Sequence, residues 1–134
     1  MAMEKRIIEL KTIKEGRYLM IDDAPCRVTK ISHSKPGKHG GAKLNIDGVG
    51  VFDGRKRSLM KPAGDKAEVP VIEKKIAQVL NVIGDAVQMM DMESYETFEM
   101  PMPDEAEIKD MMREGQEIIY IEYGPDRKIM QAKG

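Results

Sequence analysis

The chain has 134 residues, 41% hydrophobic and 34% charged, too apolar for a disordered chain and long enough for one domain or two very small ones. Apolar runs stop at a few residues, as in Ile118-Ile119-Tyr120-Ile121, and Met1-Ala2-Met3-Glu4-Lys5-Arg6 has no apolar stretch behind it, which excludes a membrane-spanning helix and a secretory signal. The single cysteine, Cys26, excludes an internal disulfide and a cysteine zinc site, and the expected location is cytoplasmic.

The pattern along the chain is mostly period two. Arg17–Ile21 and Pro25–Ile31 read as short strands around the turn-like Asp22-Asp23-Ala24. In the second run Cys26 and Val28 alternate with Arg27 and Thr29, and the phase slips near Ile31. Leu44, Ile46 and Val49–Phe52 form the next strand, with a bend or bulge expected at Asp47-Gly48. Asp53-Gly54 is a hairpin-turn dipeptide from which Arg55–Met60 returns. No helical period occurs before residue 70.

Lys61–Pro70 is flanked by prolines and poor in large apolar residues, so it reads as a linker. The division places one domain at residues 1–69 and another at 70–134. The net charge of −1 hides a split at this point. Residues 1–69 hold 15 Lys and Arg against 9 Asp and Glu, a balance of +6, whereas residues 70–134 hold 7 against 14, a balance of −7. A basic half beside an acidic one points to contact with a polyanion through one end.

In the second half, Val71–Glu73 and Ile76–Ile83 lead to a turn at Gly84-Asp85. Val87–Met92 and Thr97–Met102 make a hairpin around Glu93-Ser94-Tyr95. Pro103-Asp104 caps a helix expected over Glu105–Arg113 and closed by Gly115. Glu117–Tyr123 and Lys128–Gln131 are the last strands, on either side of Gly124-Pro125-Asp126. Three strands, one short helix and two strands is the order of an OB-fold, a five-stranded barrel that commonly binds oligonucleotides. The fold class expected is therefore mostly β, as two small barrels. The twelve methionines, Met89, Met90, Met92, Met100 and Met102 among them, fill core space where aromatics are scarce.

The most unusual segment is Ser34-Lys35-Pro36-Gly37-Lys38-His39-Gly40-Gly41-Ala42-Lys43, with three lysines, three glycines, no acid and no large apolar side chain. It lies between two strands and reads as a long exposed hairpin loop with Lys38 near its tip. Composition alone fits a solvated basic loop equally well. A phosphate-binding P-loop is rejected, because Ser32 stands where its first glycine belongs, His39 follows the lysine, and no helix comes after. His33 and His39 are six apart with no carboxylate to orient either, so they do not form a metal or catalytic pair; His33 reads as a strand residue or phosphate contact. Cys26 reads as a small buried hydrophobe. Arg55, Lys56 and Arg57 form a second basic cluster suited to backbone phosphates, or alternatively a charged edge that discourages strand pairing.

Lys35-Pro36-Gly37-Lys38-His39-Gly40-Gly41-Ala42-Lys43 resembles the modification loop of the translation initiation factor 5A family, which is also classed among elongation factors and is related to bacterial elongation factor P. Pro36 and Gly41, where the eukaryotic pattern has threonine and histidine, look like the archaeal form. The resemblance extends along nearly the whole chain and implies an N-terminal SH3-like barrel followed by the OB-fold. It implies that Lys38 receives the aminobutyl group of spermidine from deoxyhypusine synthase, giving deoxyhypusine or hypusine, with no other cofactor. It further implies a non-enzymatic factor that binds the ribosome and positions the acceptor end of peptidyl-tRNA at stalled sequences. Lys35, His39 and Lys43 would flank the tip, and Arg55, Lys56 and Arg57 would meet rRNA or tRNA. The competing expectation is a general single-stranded RNA-binding module that uses the OB face and needs no modified lysine.

Overall fold

A computed structural model of the chain describes residues 3–34 and 42–133. The chain divides into two compact units, one running to Val71 and the other from Ile72. The change of unit lies two residues beyond the expected 69/70 boundary.

Among the described residues the first unit contains six strands: β1 (Lys5–Glu9), β2 (Tyr18–Ile21), β3 (Ala24–Ser34), β4 (Lys43–Gly50), β5 (Lys56–Pro62) and β6 (Lys66–Pro70). Strands β2-β3-β4-β5 form an antiparallel meander, while β1 and β6 pair with each other. Asp22 and Asp23 both have positive φ, 51° and 61°, as the two-residue turn joining β2 to β3 requires. Leu10, Leu19, Ile21, Cys26, Val28, Leu44, Ile46 and Ala67 meet in one apolar cluster, so successive strands each give alternate residues to a shared interior.

Three expectations are corrected in this unit. The segment read as a linker is structured: its first residues complete β5, and Lys66–Pro70 is β6, pinned to β1 from Lys5↔Pro70 to Glu9↔Lys66. Ala67 is buried and Val69 packs against the core, so this charged stretch still offers the interior one face. One 3-10 turn, Leu10–Thr12, also precedes residue 70, and it carries the fully buried Leu10. The bulge expected at Asp47-Gly48 lies across from it instead. The β3–β4 register shifts between Val28 and Lys30, which leaves Thr29 as the extra residue. Gly48 is closely packed at this joint, where a Cβ would lie 3.1 Å from Ile21 Cδ1 and 3.2 Å from the Arg27 carbonyl oxygen.

The second unit holds β7 (Glu73–Ile83), β8 (Ala86–Asp91), β9 (Thr97–Pro101), α1 (Ala106–Lys109), β10 (Glu117–Tyr123) and β11 (Asp126–Ala132). Its strand order, β11-β10-β7-β8-β9, is that of the five-stranded OB barrel, with Greek-key placement of β10 beside β7. The expected nine-residue helix is shortened to Ala106–Lys109 and has no side-chain cap. Beyond it the amides of Met111 and Met112 bond to the carbonyls of Ile108 and Lys109, a tightening to i→i+3 contacts that turns Met112 into the core. Met89 and Met100 are core residues and Met102 packs against them, whereas Met92 is exposed.

This unit also buries charge. Glu122 receives Lys75 Nζ at 2.8 Å and Arg127 Nε at 2.7 Å, and the Arg127 guanidinium lies 4.2 Å from the centre of the Phe98 ring. Burial alone would raise the Glu122 carboxyl, but the hydrogen bonds from Lys75 and Arg127 prevail and hold it below its ordinary value. Among the described residues no helix is long and apolar enough to cross a membrane.

Candidate functional site

Lys35, Pro36, Gly37, Lys38, His39, Gly40 and Gly41 lie outside the described residues. What carries them is described. Residues 35–41 join the ends of β3 and β4, the longest antiparallel pair of the first unit, whose last partners are His33↔Leu44 and Ser34↔Lys43. The base of the loop is held on the β5 side, where Lys43 pairs with Pro62 and the Ala63 amide donates to the Ala42 carbonyl at 2.9 Å. Below it, Leu44 and Ile46 are buried and anchor the hairpin in the core.

The other edge of the hairpin is barer. Strand β2 pairs with β3 only as far as Arg27, so among the described residues no strand flanks Lys30–Ser34 on that side. The Ile31 amide instead donates to Glu15 Oε1 at 3.3 Å. Across the sheet, Asp47 ties three strands together: its carbonyl accepts from Thr29 Oγ1 at 3.1 Å, and its carboxylate accepts from Ser58 Oγ at 2.8 Å. Lys43 is exposed at the base of the loop, and His33 is exposed in β3.

The basic cluster after the Asp53-Gly54 turn does not act as three equal charges. Arg55 and Lys56 are exposed and make no ion pair among the described residues. Arg57 is different, because it grips Asp53 with both ends of its guanidinium, Nη1 to Oδ1 at 3.1 Å and Nη2 to Oδ2 at 2.8 Å. That bond, with a second from the Arg55 amide, pulls the Asp53 carboxyl down to about 2, and the Arg57 guanidinium is raised in turn. Arg57 is thereby set apart from the rest of the expected cluster: strand alternation turns it away from Lys56, and Asp53, four residues earlier, captures it.

Cys26 is fully buried, and its Sγ donates to the Ala24 carbonyl at 3.4 Å. Burial pushes the thiol up despite the nearby Arg57 cation, which suits a packing residue and not a nucleophile. Among the described residues no three His, Cys, Asp or Glu side chains converge as a metal site.

The OB unit presents a face without cations where oligonucleotides commonly bind. Register places Gln78, Met90 and Thr97 in one outward row of β7-β8-β9, Asn81, Gln88 and Glu99 in the next, and Ile83, Ala86 and Pro101 in the third. No lysine, arginine or aromatic ring stands among them. The adjoining turns, Gly84-Asp85 and Gly124-Pro125, add no cation.

Comparison with known proteins accounts for both units. Residues 6–65 match the family model described as "Translation initiation factor 5A-like, N-terminal", and residues 71–133 match "Eukaryotic elongation factor 5A hypusine, DNA-binding OB fold". Translation initiation factor 5A of Methanothermobacter thermautotrophicus is 48% identical over 132 residues, covering 98% of this chain and 100% of that protein. The solved structure of eukaryotic translation initiation factor 5A from Methanococcus jannaschii is 40% identical, with a TM-score of 0.85 over 96% of this chain and 95% of that one. A family protein from Naegleria fowleri is 28% identical, with a TM-score of 0.73 over 97% of this chain and 99% of that one. The chain belongs to the translation initiation factor 5A family.

Proposed function

We propose that the chain is a ribosome-bound translation factor whose working group is Lys38, extended by the aminobutyl moiety of spermidine to deoxyhypusine or hypusine. The observation that carries this reading is the Gly37-Lys38-His39-Gly40 segment at the end of a core-anchored β-hairpin, in a chain of this family. A primary amine between glycines, with no acid within the segment to pair with it, is suited to enzymatic extension. Deoxyhypusine synthase is the partner that would perform it.

The product is a longer side chain with two amines in place of one. Presented on a hairpin, such a dication reaches the phosphates at the acceptor end of peptidyl-tRNA and restricts its wrong orientations, which promotes peptide-bond formation at stalled sequences. The factor itself makes and breaks no bond, and it acts in the cytoplasm. Lys35, His39 and Lys43 flank the tip, and Arg55 and Lys56 remain available for rRNA or tRNA. The competing reading, a general single-stranded RNA module working through its OB face, is disfavoured by the outward rows of β7-β8-β9, which hold Glu99 and no cation or aromatic ring.

Lys38→Arg is the decisive variant, because it keeps the charge but offers no primary amine. Intact-mass measurement of protein from its native host should show an aminobutyl adduct on Lys38 and none on the variant. The variant should also fail to support translation of consecutive prolines. An unmodified native protein, or a fully active Lys38→Arg, refutes the proposal.

A further inference from the structure

Residues 35–41 join the ends of β3 and β4, so whatever sets the direction of that hairpin sets the reach of Lys38. Strand β3 shows where this happens. Val28 is bonded to the chain on the β2 side: its amide donates to the Arg17 carbonyl and its carbonyl accepts from the Gly16 amide, both at 2.8 Å. Thr29 follows as the extra residue of the bulge. Past it, among the described residues, the sheet continues without β2, as an arm of β3, β4 and β5. The bulge stands where the arm leaves the body of the barrel.

We propose that this joint aims the arm, and that Thr29, fastened by Asp47, is a positioning residue for the modified Lys38. The inference rests on the function proposed above and names a determinant of that same site.

The joint is braced by side chains where the ladder is interrupted. An extra residue interrupts cross-strand bonding, bends the strand and increases its local twist. Here the Thr29 hydroxyl restores one tie, donating to the Asp47 carbonyl at 3.1 Å, and the Asp47 carboxylate carries it on to Ser58 of β5 at 2.8 Å. Just beyond, Glu15 Oε1 accepts from the Ile31 amide at 3.3 Å, in place of the strand that is no longer there. The inner side has no slack. A Cβ at Gly48 would meet Ile21 Cδ1, Cys26 Cβ and the Arg27 carbonyl oxygen at 3.1–3.2 Å, so β4 already rests on the core.

The hydrophobic pattern does not require the extra residue. Arg27 faces out and Val28 faces in; with Thr29 removed, Lys30 would follow as an outward residue and the alternation would run on unbroken. What the bulge adds is direction. Ser34, the end of β3, lies five residues beyond Thr29, or ~17 Å at ~3.3 Å per residue. A change of about 20° in strand direction, the size of the twist between neighbouring strands, would move that end by about 6 Å. A group that must meet a reacting centre tolerates displacements of only ~1 Å.

The test uses the full-length protein, treated with deoxyhypusine synthase and spermidine until intact mass shows complete conversion, in reconstituted translation of consecutive prolines. Deletion of Thr29 removes the bulge and leaves every other side chain on its face. The maximal rate should fall at least about tenfold. The concentration giving half that rate should stay within about twofold, because the docking surfaces are untouched. Thr29→Val keeps the extra residue but loses the tie to Asp47, and should lower the maximal rate about threefold. Thr29→Ser keeps both and should match wild type. Residual dipolar couplings read the direction itself: in the deletion, the Ser32 and Asn45 amides should turn by about 10–20° against those of Cys26 and Gly50. Asp91→Asn, a destabilising change in the other unit, should leave the maximal rate unchanged at a temperature where circular dichroism shows every variant folded.

A deletion variant with the wild-type maximal rate overturns the inference. So does one whose half-saturating concentration rises while its maximal rate holds, or one whose arm amides have not turned. If the deletion does not fold, Thr29→Val decides in its place, and a wild-type rate there overturns the inference equally. Lys38→Arg separates the two readings. If it is as active as the modified wild type, the proposed function fails; if it is inactive beside a fully active deletion, the joint alone fails.

Discussion

Asp91 offers the sharpest test of how the second unit is held together. Only 4% exposed, it accepts four hydrogen bonds: the Tyr120 hydroxyl at 2.5 Å, the Glu93 and Ser94 amides at 2.9 and 2.8 Å, and Ser94 Oγ at 3.2 Å. It thereby ties the β8–β9 turn to the centre of β10. Burial by itself would raise this carboxyl, but the Tyr120, Ser94 and Glu93 donors prevail and bring it from 3.8 down to about 2. Folding favours the charged form, so the contribution is complete above the unfolded value, near pH 4, and is lost as pH falls towards 2. The difference corresponds to about 2 kcal/mol at neutral pH. Asp91→Asn should cost that amount, lowering the urea midpoint of this unit by about 1–2 M at an m-value near 1–2 kcal/mol/M. Tyrosine emission reports chiefly on this unit, since the chain lacks tryptophan and three of its four tyrosines, Tyr95, Tyr120 and Tyr123, lie within it, with Tyr18 in the other. Tyr120→Phe should cost less, about 1 kcal/mol, because the amide donors to Asp91 remain. An Asp91→Asn variant within 0.5 kcal/mol of wild type at pH 7, or a gap that widens as pH falls from 4 to 2, would refute the reasoning.

Other perturbations follow from the same geometry. Glu122→Gln leaves Lys75 and Arg127 without their shared counter-charge; Glu73 and Glu96 remain within 3.3 and 3.4 Å, so the loss in urea melts should be about 2 kcal/mol, below that of a fully buried pair. Gly48→Ala crowds Ile21, Cys26 and the Arg27 carbonyl, and should lower stability by about 1–3 kcal/mol in thermal melts; a neutral result would show that the joint beneath the hairpin yields freely. Cys26, buried with its thiol pushed up, should react with a thiol reagent in native buffer far more slowly than in urea, and comparable rates would contradict its burial.

The strand order of the second unit was legible because its signals are local. Gly84-Asp85, Glu93-Ser94-Tyr95 and Gly124-Pro125 each interrupt an alternating run, and the turns fall there. The β1–β6 pair was not legible. Lys5-Arg6 belong to no expected element and Lys66 to Glu68 to an expected linker, and the ladder joining them spans the whole unit, so no local window contains its cause. The helix was overdrawn for a related reason: acids at 105, 107 and 110 favour a helical start, but only packing shows that Met112 must turn inward and end it.

For the candidate site, the loop was legible as composition and the sign of the first unit as arithmetic, but which cations work together was not. Arg55, Lys56 and Arg57 are adjacent in sequence, yet strand alternation and the Asp53 clamp separate Arg57 from the others. Arg27 and Lys30 show the converse. Three residues apart in a regular strand, they would point to opposite faces. The extra residue at Thr29 restores the phase, so that Arg27 faces out opposite Val49 and Lys30 faces out opposite Asp47. The slip of pattern visible near Ile31 was the trace of this bulge. What it could not convey is that one unpaired residue brings two cations, distant by alternation, onto the same side of the sheet that supports the lysine loop.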